Sequence, residues 1–159
     1  MITAGTILLV RLSVADGAAY YSLYKAFEAA GYFEEQVILA GEIPGDFARR
    51  MTSLCKDIWT IRLQEAPELI IGDCALHHHN PQNHCIEAGG SLLPDYRGKG
   101  YMKVAFAMMI SFARQQYQVR TVVAKTTDSN TSAIRFAEGL GFCQCAVNGS
   151  EVVLRYDVE

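Results

Sequence analysis

Residues 96–101 read Tyr-Arg-Gly-Lys-Gly-Tyr, which places two glycines and two cationic side chains within six consecutive positions. The segment before them, residues 87–94, ends in Pro94, which cannot donate a ladder hydrogen bond and therefore ends a strand. The segment after them, residues 103–113, is rich in good helix formers and contains neither glycine nor proline. The sequence thus predicts a strand, a glycine loop and a long helix in succession.

A junction of this kind is suited to binding a pyrophosphate. The first turn of a helix leaves backbone N–H groups without intrahelical partners, and the helix dipole makes this end positive. Gly98 and Gly100 let a bulky anion approach the backbone, and Arg97 and Lys99 add positive charge. We therefore predict that the loop binds a phosphorylated ligand.

Two common phosphate-binding loops do not fit these residues. A Walker loop has four residues between its glycines and ends in Gly-Lys-Ser/Thr, whereas one residue separates Gly98 from Gly100 and Tyr101 follows. The dinucleotide pattern Gly-x-Gly-x-x-Gly would need a third glycine where the chain has Lys103, and it belongs after the first strand of a βαβ unit.

The loop instead resembles the acyl-coenzyme A loop Arg/Gln-x-x-Gly-x-Gly/Ala of the GNAT superfamily of N-acetyltransferases. The residues from Arg97 to Tyr101 carry the match, and Met102 departs from it because the family has a small residue there. Residues 130–142, Asn-Thr-Ser-Ala-Ile-Arg-Phe-Ala-Glu-Gly-Leu-Gly-Phe, resemble the family's helix beside the cofactor. Residues 87–101 are similar to the branch that acetylates the N-termini of ribosomal proteins, and residues 6–16 resemble it more loosely.

The resemblance implies the GNAT fold over a single domain, residues 1–159. This is an α/β fold with a mixed, mostly antiparallel central sheet that is splayed between its fourth and fifth strands and flanked by helices. Local signals agree: Ser13 and Asp16 form a plausible capping box for the first helix, and Asp128 or Ser129 is predicted to cap a later one. The dipeptide at 148–149, Asn-Gly, predicts a terminal hairpin.

The resemblance also implies a set of residues that bind acetyl-CoA as co-substrate, without a metal. Free backbone N–H groups of Leu92 and Leu93 would hold the pantetheine amides and polarise the thioester carbonyl. Asn130 would hydrogen-bond near the pantetheine, while Arg135 would reach a phosphate or form part of a solvated helix face. The pyrophosphate would be held by Arg97, Gly98, Lys99, Gly100, Tyr101 and Met102.

Acetyl transfer to an amine needs a proton acceptor, because an alkyl amine is mostly ammonium at neutral pH. Glu87 is the candidate base, since it lies where the resembled branch carries a glutamate; the alternative is a glutamate at a solvent-exposed strand edge. The general acid is unassigned, because the tyrosine that many superfamily members carry falls at Ala137. Tyr96, Tyr101 or solvent would have to replace it.

Composition limits the other functional classes. The chain has 159 residues and a formal net charge of −3, with no basic stripe outside the loop, so nucleic acid is not an expected partner. The longest apolar stretch is too short for the roughly 20 residues that cross a membrane, and no secretory signal is visible at the start. Five cysteines without a Cys-x-x-Cys pair fit a reducing compartment. A cytoplasmic location is expected.

Residues 77–84 read His-His-His-Asn-Pro-Gln-Asn-His and raise the question of a metal site. Asn80-Pro81 with Asn83 is turn chemistry, so these histidines are expected to cap a solvated hairpin, with a substrate or adventitious metal contact as the alternative. Consecutive residues of an extended segment point to opposite faces and cannot all bind one ion.

Three functions are therefore weighed. The first is an acetyl-CoA-dependent N-acetyltransferase acting on a primary amine by direct attack in a ternary complex. The second is a non-catalytic acyl-CoA-binding or partner-binding module on the same fold, and the third is a metal-binding regulatory protein. The acceptor, which would be a protein N-terminus, a polyamine or an antibiotic amine, and the oligomeric state, including a homo-oligomer, stay open.

Overall fold

The computed structural model describes residues 1–158, which form one eight-stranded sheet with helices on both of its faces. The strands are β1 (Ile2–Ala4), β2 (Ile7–Arg11), β3 (Asp57–Leu63), β4 (Ala66–Asn80), β5 (Cys85–Leu92), β6 (Thr121–Thr127), β7 (Cys143–Asn148) and β8 (Glu151–Asp157). The α-helices are α1 (Gly17–Ala29), α2 (Pro44–Leu54), α3 (Tyr101–Tyr117) and α4 (Thr131–Gly139). Short 3₁₀ turns at Val14–Asp16 and Pro94–Tyr96 precede α1 and the glycine loop.

The strand order is β1-β2-β3-β4-β5-β6-β8-β7, and every neighbouring pair is antiparallel except β5 and β6. Antiparallel neighbours can be joined by short turns, whereas a parallel pair needs a long crossover, which α3 supplies here. The predicted mixed and mostly antiparallel sheet is confirmed.

The sheet opens between β5 and β6. Their register comprises three pairs and ends where Glu87 faces Val123, although β5 continues to Leu92 and β6 continues to Thr127. The predicted splay between the fourth and fifth strands is therefore confirmed. It lies between the fifth and sixth strands in the count used here, because Ile2–Ala4 adds a short edge strand.

Two hydrophobic cores lie on opposite faces of the sheet. On one face, α3 packs its Phe106 and Met109 against strand residues such as Ile86. On the other face, α1 and α2 bury Phe27 and Phe47 completely, and burial of such a side chain stabilises the fold by about 1.5–3 kcal/mol. Alternate residues of a strand point to opposite faces, so the central strands serve both cores.

The α1 face also contains a buried carboxyl group. Asp73 of β4 accepts hydrogen bonds at Oδ2 from the hydroxyls of Tyr20 (2.7 Å) and Tyr24 (2.6 Å), both on α1. Burial raises the pKa of Asp73, because removal from water disfavours the charged form. A buried polar group is costly unless it is paired, so this contact ties α1 to the sheet at a defined position.

Helix termini follow the sequence signals with one exception. The predicted capping box is confirmed, with the Ser13 N–H and hydroxyl both donating to Asp16 Oδ2, and it opens the 3₁₀ turn that leads into α1. The prediction that Asp128 or Ser129 caps α4 is wrong. Asn130 is the cap, because its Oδ1 accepts the N–H of Ala133 at 3.1 Å. In residues 1–158 we find no helix with the length and apolarity needed to cross a membrane.

Candidate active site at the opening between β5 and β6

Glu87 stands at the point where the sheet opens. It is the last β5 residue in register with β6, and on its other side it faces His77 of β4. Its neighbours Ile86 and Ala88 are buried in the α3 core, so Glu87 points to the opposite face, which α1 and α2 cover. Its side chain is 19% exposed. A carboxylate is thus present beside the opening on the face where the first two helices lie.

Two cationic or proton-donating side chains hold Glu87 from the neighbouring strands. His78 of β4 places its Nδ1 2.7 Å from Glu87 Oε2, and Lys125 of β6 places its Nζ 3.7 Å from the same oxygen. Within residues 1–158 the other oxygen, Oε1, makes no hydrogen bond or ion pair. The carboxylate therefore has one oxygen engaged by the sheet and one available to a ligand.

The backbone at the end of β5 differs from the expectation in one respect. The Leu93 N–H donates to the carbonyl of Ile71 at 2.9 Å, so the prediction that this N–H is free is wrong. In an antiparallel pair, alternate residues direct their backbone groups toward the partner strand. Leu92 precedes Leu93, so its N–H and carbonyl point away from β4 and toward the opening. The Leu92 carbonyl accepts the hydroxyl of Tyr32 at 2.6 Å.

The glycine loop leads directly into α3. Gly98 (φ +75°) and Gly100 (φ +84°) adopt the left-handed conformation that favours glycine, and a Cβ at either position would have no atom within 4 Å. The first i to i−4 bond of α3 runs from the Val104 N–H to the Gly100 carbonyl. The preceding N–H groups of this first turn lack intrahelical partners, so the loop is an open cradle suited to a pyrophosphate.

The departure from the family pattern at Met102 is accommodated by a glycine. Met102 Cε lies 3.1 Å from the position that a Cβ would take at Gly90, so the methionine packs over a β5 residue without a side chain. Tyr101 is the first residue of α3, and both residues are half-buried against the α3 core. A large residue at this position therefore leaves the loop intact.

Arg97 joins the loop to two other segments. Its Nη2 lies 3.3 Å from Ser132 Oγ in the first turn of α4, and its guanidinium lies over the ring of Tyr32 at 5.8 Å from the centroid. Arg135 lies one turn after Ser132 on α4, is exposed, and makes no side-chain hydrogen bond or ion pair within residues 1–158. Lys99 places its Nζ 5.8 Å from the Tyr96 ring. The loop cations and α4 thus gather at one end of the opening.

Asn130 and Ala137 have structural surroundings that were not anticipated. The Asn130 side-chain oxygen is used as the α4 cap, so only its amide N–H groups remain for a ligand. Ala137 is 5% exposed and belongs to the apolar core on the α3 face. A tyrosine at Ala137 would have to displace core side chains, so this chain has no room for a general acid at that position.

The histidine segment forms the predicted hairpin, but the expectation that its histidines are solvated is wrong for three of them, which are half-buried: His77, His79 and His84. His77 is half-buried, and burial lowers its pKa; His79 packs on Tyr117 with ring centroids 4.8 Å apart. His78 is 76% exposed and contacts Glu87. The described part of the chain, residues 1–158, contains no group of three or more His, Cys, Asp or Glu side chains placed to hold a metal ion.

Sequence reasoning missed three residues of this site, namely Tyr32, His78 and Lys125. Tyr32 contacts both the Leu92 carbonyl and Arg97, which lie sixty or more positions further along the chain. Local patterns contain no signal for such long-range contacts. A correct β4–β5 register would have placed His77 opposite Glu87, whereas the contact of His78 with Glu87 depends on the irregularity that follows His77.

Comparison with known proteins agrees with this architecture. The family model described as acetyltransferase (GNAT) domain matches residues 6–143. No curated protein matches the sequence at a significant level. Solved structures with the same fold include a GNAT-family acetyltransferase from Bacillus anthracis, with a TM-score of 0.77 and 19% identity over 98% of this chain and 97% of that one.

Two further solved structures are acetyltransferases of ribosomal proteins. RimL, the ribosomal L7/L12 alpha-N-protein acetyltransferase in complex with coenzyme A, has a TM-score of 0.81 and 15% identity over 99% of this chain and 97% of that chain. The ribosomal-protein-S5-alanine acetyltransferase from Vibrio fischeri has a TM-score of 0.79 and 15% identity over 98% and 95%. At these identities the likeness establishes the fold. Since the family model spans most of the sequence, the chain belongs to the GNAT family of acetyltransferases.

Proposed function

We propose that this protein is an acetyl-CoA-dependent N-acetyltransferase that acts on a primary amine in a ternary complex. The observation that carries the proposal is the position of Glu87, a carboxylate with one unengaged oxygen at the last paired residue before the sheet opens. A base at this point faces the region between β5 and β6 where the glycine loop also lies. The same fold in a coenzyme A complex of RimL supports the choice of cofactor.

The cofactor would be held mainly by backbone groups. The first-turn N–H groups of α3, from Tyr101 onward, and the open glycines Gly98 and Gly100 suit the pyrophosphate, with Arg97 and Lys99 adding charge. The Leu92 N–H points toward the opening, where it suits a pantetheine amide or the thioester carbonyl. The engaged N–H of Leu93 is not assigned a role. Asn130 would contribute its amide N–H groups, and Arg135 is assigned to a phosphate.

The proposed chemistry is direct attack by the amine. Glu87 accepts a proton from the ammonium form of the acceptor, and the neutral nitrogen then attacks the acetyl carbon. The C–N bond forms and the C–S bond breaks. The amide nitrogen loses its second proton and the departing sulfur takes up one proton, so coenzyme A leaves as a thiol and one proton is released. With Ala137 buried, solvent or a loop tyrosine supplies the proton to sulfur.

For the acceptor we propose a chemical class, a primary amine, and no single compound. A protein N-terminus or a small-molecule amine would approach from the α1 and α2 face, toward which Glu87 points. The solved structures with this fold include ribosomal-protein acetyltransferases and a spermidine N-acetyltransferase chimera, so peptides and polyamines are the first acceptors to test. We also propose a single domain over residues 1–159, a cytoplasmic location and no nucleic-acid ligand.

A thiol-release assay tests the proposal. The purified protein is incubated with acetyl-CoA and a panel of N-terminal peptides, polyamines and aminoglycosides, and free thiol is measured, while coenzyme A binding is measured by calorimetry. Thiol release that depends on one class of amine supports the enzyme. Coenzyme A binding without release for any acceptor would replace it with the non-catalytic module. Absence of coenzyme A binding would refute both.

A further inference from the structure

The β4–β5 register contains a bulge next to the proposed base. His77 faces Glu87 and Asn80 faces Cys85, so two residues of β4, His78 and His79, stand opposite a single residue of β5. A β-bulge inserts one residue into a strand and re-aims the side chains around it. In a regular strand, His77 and His78 would point to opposite faces of the sheet. The bulge therefore allows His78 to contact Glu87, the residue that His77 faces.

The backbone of His78 is strained. Its φ is +50°, in the left-handed region that is unfavourable for a residue with a Cβ. The side chain is 76% exposed, so burial does not offset this cost. The contact made by the re-aimed imidazole is the hydrogen bond between His78 Nδ1 and Glu87 Oε2, at 2.7 Å. At His78 this strain coincides with the contact to the proposed base, which motivates a functional interpretation.

The two oxygens of Glu87 are distinguished by this contact. His78 and Lys125 both approach Oε2, at 2.7 Å and 3.7 Å, and neither approaches Oε1. The ion pair with Lys125 is longer and comes from an exposed flexible side chain, so it restrains the carboxylate less. The short bond from the hairpin is therefore the main restraint on the direction of Oε1.

We propose that His78 is a positioning residue for Glu87: the bulge turns its imidazole to hold Oε2, which leaves Oε1 directed at the acceptor amine. The inference rests on the proposed function, in which Glu87 is the base. His78 does not touch the substrate in this account. It supplies the orientation that converts a carboxylate at the sheet opening into an effective proton acceptor.

Two substitutions of His78 test the proposal in the thiol-release assay. His78→Gly removes the imidazole and suits φ +50°, so the thermal midpoint should be unchanged or higher while kcat falls about tenfold. The KM for acetyl-CoA should stay within about twofold, because the cofactor contacts are elsewhere. His78→Asn should recover most of kcat, since asparagine tolerates positive φ and its Nδ2 can donate from nearly the place of the imidazole Nδ1.

The matched control is His84→Gly. His84 lies on the same hairpin with nearly the same backbone angle, φ +51°, and makes no side-chain hydrogen bond within residues 1–158. It should keep the wild-type kcat. Equal kcat in wild type and His78→Gly would overturn the inference, as would an equal loss in His84→Gly or no recovery in His78→Asn. A rate lost in Glu87→Gln but kept in His78→Gly overturns the positioning role alone. An inactive wild type overturns the proposed function and this inference with it.

Discussion

The two halves of β5 are built differently. The first half, Cys85 to Glu87, has strands on both sides, and its last side chain is held from both of them, by His78 and Lys125. The second half, from Ala88 to Leu92, continues past the last pair with β6 and relies on β4. It contains two adjacent glycines and ends at a carbonyl held by a tyrosine hydroxyl.

Because its two halves are paired differently, one strand can contribute to a ligand site in two ways. Where both edges of the strand are paired, its backbone groups are engaged and only side chains can act on a ligand. Where one edge is unpaired, the backbone itself can bind an extended ligand as an added strand would. On the proposed function, the first half contributes a side chain for proton transfer and the second half contributes a binding edge that leads to the glycine loop.

The largest effect is expected for cofactor binding at the loop that follows the unpaired half. Gly100→Asp should weaken coenzyme A affinity by about 10³-fold, since a unit charge about 4 Å from a phosphate charge costs about 4 kcal/mol near a protein surface. Calorimetric titration with coenzyme A measures this affinity. Gly100→Asn is the matched control, because asparagine has the same shape and tolerates the positive φ without the charge. Equal affinities of the two variants would show that charge at Gly100 does not face the pyrophosphate.

The next largest effect is expected on turnover, when the base in the paired half of β5 is replaced. Glu87→Gln keeps the size of the side chain but removes proton acceptance, so kcat should fall by about 10²-fold or more. Coenzyme A affinity should change little, because the proposed cofactor contacts lie in the second half and the loop. Steady-state thiol release and calorimetry measure the two quantities. A variant with wild-type turnover would place the base elsewhere.

A smaller effect is expected on stability, when a hydrogen bond between α1 and β4 is removed. The unpaired half of β5 has β4 as its strand partner. Tyr20→Phe removes one of the two hydroxyls that donate to the buried Asp73, opposite Ser91 of β5. Loss of a hydrogen bond to this buried carboxyl group should lower the free energy of unfolding by about 1.5–3 kcal/mol. Denaturant unfolding measures the change. Tyr21→Phe, next to it on α1 and without a contact to Asp73 within residues 1–158, should stay within about 0.5 kcal/mol of wild type.

The smallest effect is expected on stability, when each of the two adjacent glycines of the unpaired half is replaced by alanine. A Cβ at Gly90 would lie 2.8 Å from the Asp73 carbonyl oxygen and 3.0 Å from Cys74 Cβ, neither of which can move freely. Gly90→Ala should therefore lower the free energy of unfolding by about 1–3 kcal/mol. A Cβ at Gly89 meets no atom within 4 Å, so Gly89→Ala should be neutral or slightly stabilising. Equal thermal midpoints for the two variants would contradict the tight contact between β4 and β5 at Gly90.

Features that depend on neighbouring residues could be predicted from the sequence. Pro94, Gly98 and Gly100 predicted a strand end, a loop and a helix start, because backbone conformation at proline and glycine is a local property. The same holds for the capping box of Ser13 and Asp16, and for the terminal hairpin between β7 and β8. Resemblance over residues 87–101 and 130–142 then identified the family and the mixed sheet.

The groups that surround the candidate site became apparent from the folded chain and not from the sequence. The Leu93 N–H was expected to be free, yet β4 supplies an acceptor at Ile71. Ala137, where many superfamily members carry a tyrosine, is enclosed in the core on the α3 face. The contacts of Glu87 with His78 and Lys125 depend on the β4 bulge and on the crossover that brings β6 alongside. Such contacts join residues far apart in the chain, so they follow from strand register and packing, which no local pattern specifies.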